Sequence, residues 1–206
     1  VDKKISKIYI FVSLVCLSLL FNIPNVYAYN IQNAITYADE WALSRNPNWP
    51  RFLGKDCTNF VSQCLYAGGI PFDKTGSYQW WCERDLMGFW NWTNSWSVAD
   101  DHRKWLVNDN HGWITAVWDW NSSSSYPTPP NNSANLTGGE VILYDWESDG
   151  TYNHAGFTVG YGTDPDKGSV GDLTDQHNTD RYHSIWHLRD YNANWPTTTI
   201  MGIVIY

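Results

Sequence analysis

Two side chains of this sequence have the type and setting for covalent chemistry, Cys57 and His154. Cys57 follows Asp56 where a helical apolar pattern begins: Phe60, Val61, Cys64 and Leu65 share a face, and Gly68-Gly69 ends the run after Ala67. A thiolate is the nucleophile, and a free cysteine is mostly protonated at neutral pH. A helix N-terminus and a nearby imidazole both lower a thiol pKa. The first-turn N–H groups favour negative charge and could also hold a tetrahedral oxyanion. Asp56 is expected to cap the helix, its charge slightly opposing the thiolate. His154 opens the strand-like run His-Ala-Gly-Phe-Thr-Val-Gly after a polar loop. A strand start sets a side chain at the rim of a sheet, where it can face a helix end, and small Ala155 and Gly156 let that helix approach. The chemistry expected of such a pair is attack of sulfur on a planar carbonyl, with the imidazole carrying the proton from thiol to leaving amine.

The elements that must position this pair follow from the pattern around it. Asn30 caps a first helix carrying Ile31, Ala34, Ile35, Ala38 and Ala42 at helical spacing, stopped by Asn46-Pro47. The Cys57–Ala67 helix is second. A third is expected from about Ser97 to Val107, with Asp100 at the capping-box position. Asn121 to Asn135 reads as a Ser-, Pro- and Asn-rich loop. Strands are expected over 140–144, 154–161, 170–177, 181–188 and 198–206. Helices first and an antiparallel sheet after make the class α+β.

Three blocks resemble a known family: Asp56-Cys57-Thr58-Asn59-Phe60-Val61-Ser62-Gln63, Gly139-Glu140-Val141-Ile142, and Asn153-His154-Ala155-Gly156. They are similar to the putative amidase domain family of Gram-positive bacteria and, more loosely, to NlpC-type cell-wall peptidases and cysteine–histidine-dependent amidohydrolases. The resemblance covers most of the chain from about Tyr29 onward. It implies a papain-like fold and a catalytic Cys57–His154 pair. In NlpC-type enzymes a third polar residue on the next strand orients the histidine. Here that position falls at His177, with Asn178 and Asp175 as alternatives. Glu140 stands where those enzymes carry Asp. The segment 70–138 has no counterpart in the minimal peptidases.

Other residues have plainer readings. Cys64 lies on the same helix face as Cys57 and reads as core, a Cys64–Cys82 disulfide being the alternative. No CxxC pair exists, and His183 and His187 sit in a strand-like run where their spacing does not chelate, so no metal and no cofactor are expected. His102 and His111 read as helix-surface and loop residues. Nine of the fourteen tryptophans fall between Trp80 and Trp120, denser than core alone requires. Trp80, Trp81 and Trp96 are therefore candidates for a ligand wall against sugar rings or apolar side chains.

The bulk properties bound the setting. The 206 residues suit one domain over 29–206, carrying 70–138 as a tryptophan-rich insertion. Residues 1–28 have the layout of a secretory signal peptide: Lys3, Lys4 and Lys7, then an uncharged run from Ile8 to Phe21, then Val26 and Ala28 at cleavage-site positions. The run is short of the roughly 20 residues a comfortable membrane span needs, and no lipobox leads into Cys16. Without that leader the charge moves from −8 to −10, with ten basic against twenty acidic side chains. Such a surface disfavours nucleic acid and anionic membrane. The expected partner is peptide or peptidoglycan, met outside the cell or at its wall, with no stable membrane anchor. A wall- or carbohydrate-binding module without catalysis is the competing class, and a transferase using the same acyl-thioester is a third.

Overall fold

The structure, a computed structural model, describes residues 28–206 other than residue 122. The expected leader and Cys16 therefore lie outside the described residues, Ala28 apart. Helix α1 (Ile31–Trp41) starts where the Asn30 side chain accepts the Asn33 N–H at 3.0 Å, and it buries Ala34 and Ala38. Helix α2 (Cys57–Ala67) is buried from Cys57 through Leu65 and stops at Gly68.

The expected third helix is two. The short α3 (Asn94–Ser97) and α4 (Ala99–Asn108) are separated by Val98 in extended conformation, and neither has a side-chain cap. Asp100 makes no capping box; its carboxylate pairs with Arg103 at 3.0 Å and Lys104 at 2.8 Å.

Strands β1 (Cys82–Arg84) and β2 (Trp90–Trp92) form a small hairpin. A six-stranded sheet follows the order β3-β8-β4-β5-β6-β7. Its strands are β3 (Gly112–Asp119), β4 (Val141–Asp145), β5 (His154–Thr163), β6 (Val170–Gln176), β7 (Arg181–Ile185) and β8 (Thr199–Ile205). Every pairing is antiparallel. The fold is α+β.

Alternation along the strands divides two cores. Val141, Leu143, Ala155, Phe157 and Ile203 face α1 and α2. Ile142, Tyr144, Leu173, Ile185, Trp186 and Ile200 build a second cluster. Central β4 is buried on both faces, and helix packing over its neighbour β5 brings the start of α2 to the start of β5.

The tryptophan-rich segment is not set apart from this architecture. It contributes β3, which pairs with β8, and much of the first core. Trp80 stacks on Trp105 with ring centroids 4.5 Å apart and meets Trp96 at 4.9 Å. Both Trp80 and Trp96 have no exposed surface. Their indole N–H groups are satisfied internally, Trp80 donating to Ser62 Oγ at 3.0 Å and Trp96 to Asn59 Oδ1 at 2.7 Å. The expected ligand wall thus fails for these two, because the helix supplies polar partners that let whole indoles be buried. Trp81 is half-buried, with Lys74 Nζ 5.6 Å from its ring centroid.

Candidate active site

Cys57 is the first residue of α2 and is 5 % exposed; His154 is the first residue of β5 and is 7 % exposed. Burial raises the Cys57 pKa, but other contacts outweigh it: the charge of and a hydrogen bond from His154, the Ala155 backbone and the Thr58 hydroxyl. The thiol is therefore held below its ordinary value. The Thr58 hydroxyl lies 3.8 Å from Sγ. Asp56 supplies no side-chain cap, so the first-turn N–H groups are left free to meet an anion.

The imidazole of His154 is fixed from several sides. The indole of Trp146 stacks on it at 5.4 Å, and the Tyr144 ring lies at 5.5 Å. Its Nε2 is hydrogen-bonded to Gln176 Oε1. Gln176 Nε2 in turn donates to Ser184 Oγ at 3.2 Å, and the Ser184 hydroxyl donates to Thr174 O at 3.1 Å. Because the serine proton is committed to a carbonyl, Ser184 accepts from the amide. That fixes the carboxamide with its oxygen toward His154. His154 Nε2 then carries a proton, and Nδ1 is the nitrogen left with a free lone pair.

The residue expected from the strand count to orient His154 is not the one hydrogen-bonded to it. His177 makes no contact with His154: its Nδ1 lies 2.8 Å from Asp56 Oδ2 and its Nε2 2.9 Å from Trp41 O. The reason is the two-residue period of a strand. Phe157 pairs with Asp175, and one further step puts Gln176 beside Gly156, on the His154 face. Asp175 and His177 point to the opposite, helix-covered face. Of the two alternatives, Asp175 accepts the His183 N–H at 2.6 Å, and Asn178 accepts the Asp56 N–H at 2.6 Å. Neither bonds His154.

Asp56 differs from expectation as well. Its carboxylate turns away from the helix end and accepts from Phe52 N (3.1 Å), Asn59 Nδ2 (2.8 Å) and His177. Arg45 Nε lies 2.5 Å from Oδ2 as an ion pair without hydrogen-bond alignment. Burial opposes ionisation, but the His177, Asn59 and Phe52 donors hold the carboxyl below its usual range.

Cys64 and Cys82 are buried and unbridged. Burial raises both thiols, that of Cys82 to about 12. Glu140 accepts from Thr137 N, Gly138 N and Thr158 Oγ1, and so ties the turn entering β4 to β5. His102, expected on the surface, is fully buried with Nδ1 2.8 Å from Ser95 O, and burial lowers its pKa to about 4. His187 accepts the Arg189 N–H, and His183 bonds Asp39. Among the described residues Asp39, Asp175 and His183 form a group able to hold a metal, with ligand atoms within 4.8 Å of one another.

Two cavities open on the pair. One of about 400 Å³ is bounded by Cys57, Thr58, Val98, Asp100 and Tyr152. The other, of about 290 Å³, is bounded by His154, Trp146, Arg181, Leu188 and Tyr191. Asn153 and Asn178 line both.

An α+β domain with a thiol at a helix start and an imidazole at the facing strand start defines the class of the site. Comparison with known proteins gives it a family: the model described as "Putative amidase domain" matches residues 28–201, and the chain belongs to that family. It is 32 % identical over 174 residues to the uncharacterized protein YhbB of Bacillus subtilis, covering 83 % of this chain and 48 % of that protein. A 50-residue stretch, 24 % of this chain and 12 % of the relative, is 46 % identical to the uncharacterized protein YjcM of the same organism. The chain thus spans about half the length, or less, of these relatives. No solved structure matches it.

Proposed function

We propose that this protein is an exported cysteine hydrolase that cleaves an amide bond, in cell-wall peptide or a related exported peptide, through Cys57 and His154. The observation that carries the reading is the placement of a buried thiol at the first residue of α2 and an imidazole at the first residue of β5, with the charge of His154 lowering the thiol pKa, in a family whose description is amidase. Cys57 Sγ adds to the carbonyl carbon while its proton resides on His154 Nδ1. The oxyanion forms where the first-turn N–H groups of α2 converge. His154 gives the proton to the leaving nitrogen, the C–N bond breaks, and an acyl-thioester remains. Water, deprotonated by His154, then releases the acid and restores the thiol. Gln176 holds the ring throughout, in the part first expected of His177; His177 serves by holding Asp56 and the helix start.

Export rests on the composition of residues 1–28, and the wall as substrate rests on location and on the resemblance of the Cys57 and His154 blocks. The competing reading, a binding module built on the tryptophans, loses its support where Trp80 and Trp96 are wholly buried. Digestion of purified peptidoglycan with the protein, followed by mass identification of fragments, is the test. Release of new amine and carboxyl ends by the wild type and none by Cys57→Ala supports the proposal. Stoichiometric alkylation of Cys57 with no cleaved wall peptide removes the substrate, and an inert Cys57 removes the mechanism.

A further inference from the structure

The two cavities beside the pair are not equivalent, and their difference bears on which amide is cut. This inference rests on the Cys57–His154 reading. Sulfur becomes bonded to the acyl carbon, so the acyl part must lie on the Cys57 side, in the cavity with Val98 and Tyr152. The leaving nitrogen must receive its proton from His154, so the departing amine must lie on the His154 side, in the cavity with Trp146, Leu188 and Tyr191.

The His154-side cavity has one fixed charge in its lining, Arg181. Among the described residues no carboxylate lines it, although the chain carries a net charge of −8. Arg181 is half-buried and, among the described residues, forms no salt bridge; Asp164 and Asp166 act on it only through space. Its guanidinium is held by donation from Nη1 to Thr179 O at 3.2 Å and by the Tyr191 ring, 4.8 Å from Cζ. Tyr191 is itself fixed, its hydroxyl donating to Asp164 at 2.7 Å. One carbonyl and an aromatic face leave most of the five guanidinium N–H donors unused. A half-buried guanidinium with donors to spare gains from a counter-ion, and a carboxylate bound to it in a fork is among the stronger polar pairs. About 290 Å³ suits one amino-acid residue or a short dipeptide. The neighbouring Asn178 and Asn192 add amide groups.

We propose that Arg181 binds a carboxylate on the leaving side, so that the preferred substrate is an amide whose departing amine belongs to an amino acid or dipeptide with a free carboxylate. Arg181 sets specificity; it takes no part in bond making or breaking.

The test uses the full chain with peptide pairs identical except at the C-terminus, free acid in one and carboxamide in the other. The mass-identified wall fragments supply the sequences where available, and N-acetylated tripeptides ending in alanine or lysine otherwise. The expected result is at least a tenfold higher kcat/KM for the free acids, carried mainly by KM. Arg181→Gln should abolish the difference by slowing acids to the level of amides, and Arg181→Lys should restore part of it. In parallel, alanyl-alanine and its carboxamide are titrated against Cys57→Ala, where no turnover intervenes. Preferential binding of the acid, lost in Cys57→Ala/Arg181→Gln, supports the subsite even if no peptide is cut, and in that case the hydrolase reading alone falls. Equal treatment of acid and amide by the wild type and by Cys57→Ala overturns the proposal. So does an acid preference that survives Arg181→Gln.

Discussion

Replacing Gln176 by alanine separates the role of this residue from that of its neighbour on the strand. The carboxamide joins His154 Nε2 to Ser184 Oγ, both within the buried part of the sheet. Truncation leaves the His154 N–H without its acceptor and Ser184 without its donor. Two buried polar groups stranded in this way cost about 1–3 kcal/mol each at most, less where water reaches them through the His154-side cavity. The ring also loses the bond that selects its tautomer. A neutral hydrogen bond contributes about 1 kcal/mol net, and about 1.4 kcal/mol is a factor of ten in rate. Turnover of Gln176→Ala should therefore fall by about fivefold with little change in KM, and the denaturation midpoint should drop. His177→Ala should behave in the opposite sense: it breaks a buried contact to Asp56, so stability falls while the folded fraction turns over nearly normally. The assay is kcat from initial rates on the fastest wall fragment, normalised to active-site thiol, with urea denaturation in parallel. Gln176→Ala at full turnover beside His177→Ala at one tenth, with equal stability, would refute the assignment of the orienting residue. Gln176→Glu is the companion variant. A carboxylate bonded to the ring favours its protonated form, so the alkaline limb of the pH–rate profile should move upward.

Alkylation by iodoacetamide should modify Cys57 alone in the native protein and continue at pH values below the ordinary thiol range. Cys64 and Cys82, buried with raised pKa values, should react only after unfolding, as read by peptide mass mapping. Asp56→Asn should remove an acid-dependent part of stability. The Asp56 pKa is depressed below the ordinary carboxyl value of 3.8, so its contribution is present above that value and is lost as pH falls through the folded-state pKa; the variant's midpoint should fall less than that of the wild type over that acid range. Asp175→Asn should stabilise the protein at neutral and alkaline pH by on the order of 1–3 kcal/mol. Burial, with Asp39 nearby, raises this carboxyl to about 7, and Oδ2 has no hydrogen-bond partner among the described residues, so ionising it works against the fold. Trp96→Ala should cost about 3–5 kcal/mol by thermal or urea denaturation, through the loss of a fully buried indole, with no separate effect on ligand affinity.

What the sequence revealed depended on whether the local signal had a period. Helix α1 was legible because Asn30 is a capping residue and its alanines recur at helical spacing, and α2 because its apolar face ends in Gly68-Gly69. The strand carrying His154 was legible from its apolar run, and the strand carrying Asp175 from the turn through Asp164-Pro165 and Lys167-Gly168 that precedes it. Strand β3 was not. It is an edge strand whose middle residues are exposed or half-buried, so Trp113, Ile114, Ala116 and Val117 show no alternation and merge into the surrounding tryptophans. The same density hid the true role of Trp80 and Trp96. Their burial depends on Ser62 and Asn59, partners 18 and 37 residues away in sequence. In the site, Cys57 and His154 were each legible from the start of an element. The residue bonded to the His154 ring is one position from the one expected, and a strand's parity accounts for it: with Phe157 opposite Asp175, an even-numbered neighbour shares the His154 face and His177 does not. Arg181 carried no signal at all, since an arginine at the start of a strand is ordinary until the cavity beside it is known.

The acid next to Cys57 has a physical account in the same terms. A carboxylate adjacent to Cys57 in sequence would oppose a thiolate and compete for the first-turn N–H groups. Asp56 does neither, because its carboxylate is turned to His177, Arg45, Asn59 and the Phe52 N–H. His177 faces an acceptor from each nitrogen, the Asp56 carboxylate and the Trp41 carbonyl. The imidazole meets the Asp56 carboxylate from one side and the Arg45 guanidinium brings positive charge to it from another. The negative charge is thus neutralised locally, and the α2 dipole remains directed at sulfur. The same bonds tie the start of α2 to the end of β6 and, through Trp41, to the end of α1. Gln176 sits one residue before His177 on that strand, so a single strand end sets both halves of the pair: its His154-side face aims the imidazole, and its helix-side face seats the helix that carries the thiol.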